Sequence, residues 1–71
     1  MPRDLSDIRA VIERGDIDND AMARRLAAAA TLFISDVNIA ERLRDELTEA
    51  IDEPKAAFKI LDRIEAASDR D

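Results

Sequence analysis

The chain has 71 residues, with 17 acidic and 11 basic side chains, no histidine and no cysteine, for a net charge of −6. That length holds one small domain (residues 1–71), and neither disulfides nor the usual zinc ligands can tie it together. An apolar share of 46% argues against disorder, and the acidic balance disfavours nucleic acid and anionic lipid as partners.

One glycine and two prolines leave little room for loops, and alanine, leucine, arginine and glutamate are strong helix formers. The expected fold is all-α, a small antiparallel bundle of three or four amphipathic helices. The first helix is predicted from Leu5 to Arg14. Asp4 can cap it, and Asp7 stands in the first turn, where negative charge is favourable. Leu5, Ile8 and Ile12 share one face, which Val11 widens. Gly15 suits the left-handed position just past the end.

A polar junction over residues 16–20 follows, and Asp18 or Asn19 is expected to cap a second helix over residues 19–34. With Asp18 as the cap, Ile17 and Met22 would form a hydrophobic staple. Leu26, Ala29 and Phe33 mark the core face, and Ala23, Ala27 and Ala30 make a small-residue strip that another helix can approach closely. Asp16, Asp18 and Asp20 have the spacing of the first three ligands of an EF-hand loop. However, Ala21 stands where the sharp turn needs glycine and Ala27 where a bidentate glutamate belongs. A capped junction accounts for these aspartates, and no metal or other cofactor is expected.

Residues 35–38 interrupt the pattern without breaking the apolar seam, which runs from Leu26, Ala29 and Phe33 to Ala40, Leu43, Leu47 and Ala50. One helix over residues 19–52 is the alternative to a break. Serine, aspartate and asparagine compete with helical backbone bonding, which favours the break, with Asn38 and Glu41 as a capping box. The last helix is predicted to start at Pro54, capped by Asp52 or Glu53, with Ala57, Ile60 or Leu61, Ile64 and Ala67 as its seam. Residues 68–71 are expected to fray. The core is expected to draw on Ile8, Ile12, Leu26, Phe33, Leu43, Leu47, Phe58, Leu61 and Ile64.

Two charged stripes flank Pro54. Glu41, Asp45, Glu49 and Glu53 recur every four residues, as do Lys55, Lys59 and Arg63. Like charges at this spacing cost about 0.2–0.5 kcal/mol per pair on an isolated helix. An antiparallel hairpin or a second chain could bring the stripes together, and plain solvation is the alternative.

Catalysis has little to draw on. Without histidine, cysteine or tyrosine, an acid–base pair would have to come from carboxylates and two lysines. Ser6 and Ser35 stand near helix starts, where capping explains them, and Ser35-Asp36 lacks the order and glycine of a carrier-protein attachment site. In a helix-turn-helix, residues 39–52 would be the reader, and Glu41, Asp45, Glu46, Glu49 and Asp52 outnumber Arg42 and Arg44 there. The longest apolar run, residues 26–30, is too short to span a bilayer, and no apolar signal segment follows residues 1–4.

The expected function is therefore a non-catalytic, cytoplasmic protein–protein interaction module: an adaptor, inhibitor or small regulatory subunit docking through helical faces. Self-association is expected, with a homodimer favoured. Its interface is assigned to Ala23, Ala27, Ala30, Leu32, Ile34 and Ile39, so Ala27→Arg should break the assembly. Glu41, Asp45, Glu49, Lys55, Lys59 and Arg63 are expected to face a partner, which for the acidic stripe would be a basic protein surface. The alternative is a small DNA-associated regulator or packaging factor, binding as an oligomer through Arg9, Arg14, Arg24 and Arg25.

Overall fold

The computed structural model describes residues 5–68, which form four helices: α1 (Leu5–Arg14), α2 (Asp20–Ala30), α3 (Val37–Ala50) and α4 (Pro54–Ala67). α1 packs on α2, α2 on α3, α3 on α4, and α4 back on α1. Short connections make each neighbouring pair antiparallel, so the expected small bundle closes as an up-down-up-down ring of 29 × 21 × 20 Å.

α1 has the predicted bounds. It stops at Gly15, the described residue with positive φ (70°). The Gly15 N–H donates to the Ile12 carbonyl at 3.1 Å and the Asp16 N–H to the Val11 carbonyl at 3.4 Å, the two bonds of a Schellman turn. The expected Asp4 cap and residues 69–71 of the expected frayed tail lie outside the described residues.

Asn19 caps α2, its side-chain oxygen accepting the Met22 N–H at 2.8 Å. With the cap at Asn19, Met22 is exposed while Ile17 leans on the core, so the two do not form the staple expected of an Asp18 cap. α2 then ends at Ala30, four residues short of the predicted bound. The buried Thr31 hydroxyl donates back to the Ala27 and Ala28 carbonyls, both at 3.2 Å. This satisfies orphan acceptors at the helix end without a glycine. The predicted break is present, but it falls earlier and carries a different cap. Asp36, not Asn38, starts α3, accepting the N–H groups of Asn38 at 3.0 Å and Ile39 at 3.2 Å. α4 begins with Pro54 in its first turn and Glu53 at the cap position, as expected.

Ile8, Ile12, Leu26, Leu43, Leu47, Leu61 and Ile64 are buried as predicted, while Phe58 packs half-buried at the edge. Phe33 departs from the prediction: because α2 has already ended, it leaves the core face and is 43% exposed. Ala23, Ala27, Ala30, Ile34, Ile51 and Ala57 join the core instead. Among the described residues, no helix is long and apolar enough to cross a membrane.

Candidate docking surface

The interface assigned from sequence divides in two. Ala23, Ala27, Ala30 and Ile34 are buried inside the chain's own bundle, with Ala27 at 0% exposure. The small-residue strip is covered by the rest of the same chain, so a second chain cannot reach it without opening the fold. This corrects the assignment of those four residues. Leu32 and Ile39 remain outside, 74% and 42% exposed.

Two residues join them. Val37 is 65% exposed, and Phe33 adds its partly exposed ring. The early end of α2 puts residues 32 and 33 beyond the helix, and the Asp36 cap puts Val37 at the first helical position, outside the first buried turn. The Ser35-Asp36 pair was the available signal for Val37, because a cap at Asp36 puts Val37 at the first helical position, ahead of the buried face of α3. Leu32, Phe33, Val37 and Ile39 thus all fall in or beside the α2–α3 connection, a corner of the bundle.

This corner sits at the end of the bundle where α1 begins and α4 finishes. Phe33 shares one shallow groove with Leu5, Arg9, Glu65 and Ser68, and Ile39 shares another with Arg42, Leu43, Arg63 and Ala66. The last turn of α4 therefore lies between the two sides of the corner. Residues 31–39 carry a single charge, Asp36, whose carboxylate is engaged with backbone N–H groups.

The charged stripes do not zip together. Arg63 is the basic residue that reaches α3, donating from Nη1 to Glu46 Oε1 at 2.8 Å, and Glu46 stands beside the acidic stripe rather than on it. Glu41, Asp45, Glu49, Lys55 and Lys59 are exposed and form no ion pair among the described residues. Asp45 and Glu49 share a groove between α2 and α3 with Arg24, Arg25 and Arg44, again without an ion pair closing.

The four arginines of the nucleic-acid alternative are split. Arg9 donates from Nη2 to Asp62 Oδ1 at 2.9 Å and lies 5.3 Å from the centroid of the Phe58 ring. Arg14 donates from Nε to Asp16 Oδ2 at 2.9 Å. Arg24 and Arg25 stand elsewhere, in the groove that also holds two carboxylates. Among the described residues, no three His, Cys, Asp or Glu side chains are grouped to hold a metal ion. Compared with known protein families, curated proteins and solved structures, the chain matches none.

Proposed function

We propose that this chain is a non-catalytic protein–protein interaction module, an adaptor or small regulatory subunit, that docks through its α2–α3 corner. The observation that carries this reading is the exposure of Leu32 and Val37, at 74% and 65%, beside a core that closes without them. A turn between two capped helices has no need of branched apolar residues in water, and polar ones would serve the backbone equally well. Apolar side chains collected on one outer corner are the usual mark of a contact surface. The acidic residues Glu41, Asp45 and Glu49 lie on the outside of α3, where they would steer the approach of a basic protein surface. The absence of cysteine suits work in a reducing cytoplasm.

A photoreactive residue placed at position 32, in cells that make the protein, tests this reading. We expect discrete cross-linked protein adducts from position 32 and none from position 53, at the opposite end of the bundle. No adduct from position 32, or the same adducts from both, would overturn it. The nucleic-acid reading is the less supported one, because Arg9 and Arg14 are engaged within the chain. Duplex DNA binding that falls steeply with salt and needs Arg24 and Arg25 would restore it.

A further inference from the structure

We infer that the corner's occupant is a second copy of this chain, related by a twofold axis passing through residues 32–37. The inference rests on the docking reading above and names its partner. The first support is area. Leu32, Phe33, Val37 and Ile39, at 74%, 43%, 65% and 42% exposure, together offer about 400 Å² of mostly apolar surface, against about 800 Å² per partner in a standard stable interface. The apolar centre of such an interface is a little over half of it, so these four residues supply nearly all the apolar surface required. A rim of polar residues from the starts of α1 and α3 and the end of α4 would supply the rest.

The second support is charge. Two chains of net −6 repel each other, and a contact between copies is tolerable only where charge is sparse. Residues 31–39 hold one charge in nine positions, that of Asp36. The third support is the alternating topology: this end of the bundle presents the N-termini of α1 and α3 and the C-termini of α2 and α4. The helix dipoles nearly cancel at such an end, so two identical ends meet without net dipole repulsion. A twofold contact is self-complementary, and would set Leu32 of each copy against the partner's Val37.

Light scattering on the untagged chain, over a concentration series at low and high salt, tests the inference. We expect a dimer mass whose midpoint moves to lower concentration as salt rises, because screening removes the repulsion between two acidic chains. Leu32→Glu and Val37→Glu should each weaken the dimer at least about tenfold while the helical circular dichroism stays unchanged. Leu32→Gln, which adds no charge, should weaken it less, and guards against a variant that simply fails to fold.

A monomer mass at every concentration and salt would overturn the inference. So would a dimer that ignores Leu32→Glu and loosens with salt, which would move the contact to the α2–α3 groove of Arg24, Arg25 and Arg44. A monomer whose position 32 still cross-links to an unlike protein would sink the second-copy assignment alone. A monomer with no adduct at position 32 would sink the docking reading with it.

Discussion

Arg63 of α4 is bonded to Glu46 of α3 at 2.8 Å, one residue away from Asp45 and the acidic stripe. Neighbouring residues on a helix point about 100° apart, so this single position decides which carboxylate the packed helices share. The α3–α4 seam runs past Glu46, leaving Asp45 outside. Both partners are substantially exposed, so a double-mutant cycle on Arg63 and Glu46 should return a coupling of about 0.2–1 kcal/mol. The same cycle on Lys59 and Glu49, which form no ion pair, should return none. Urea unfolding of the four proteins in each cycle is the measurement.

Ala27 has no exposed surface, so enlarging it strikes the fold rather than any assembly. Ala27→Leu should cost about 1–3 kcal/mol through overpacking. That is a large part of the roughly 4–10 kcal/mol expected for a chain of this size. Ala27→Arg would bury a charge and unfold the bundle, so it cannot report on self-association. A lowered urea midpoint for Ala27→Leu, at any protein concentration, checks the assignment.

Asp36→Ala should lower stability by about 0.5–2 kcal/mol, because it removes the acceptor for the Asn38 and Ile39 N–H groups. Asn38→Ala should be close to neutral, since Asn38 stands inside α3 and does not cap it. Reversal of that order in chemical denaturation would move the start of α3 to the position read from the sequence.

Gly15→Ala isolates a backbone effect. An added Cβ would meet nothing within 4 Å, so only the positive φ of 70° opposes it. The expected loss is about 1 kcal/mol, with Gly15→Asn losing less, because asparagine enters the left-handed region more readily. Equal stability of the alanine variant and the parent would refute this account of the end of α1.

The elements that could be read from sequence are those set by local chemistry. Gly15 and Pro54 fix one helix end and one helix start by what their own backbones allow, and both stand where predicted. The end of α2 was not legible because Phe33 continues the register of Leu26 and Ala29, and periodicity cannot see a helix that stops early. Thr31 turns its hydroxyl back on the helix, and Ile34 gains burial only once the chain has left the helical path. That is a tertiary effect. The same blindness moved the alanine strip to the wrong side of the molecule: a stripe of small residues shows that something packs closely, not whose helix it is. Of the three apolar residues that lie off the main seams, Leu32 and Ile39 are exposed, whereas Ile34 is buried.

Leu5 and Ser68 line the same groove as Phe33. An affinity handle or fluorophore fused to either terminus would therefore be tethered within reach of the corner, where its bulk would compete with whatever seats there. A fused protein could read as a false monomer or fail to bind, for reasons unrelated to its affinity. The turn at residues 15–18 and the one at residues 51–53 face the other way, and those are the places to attach a reporter.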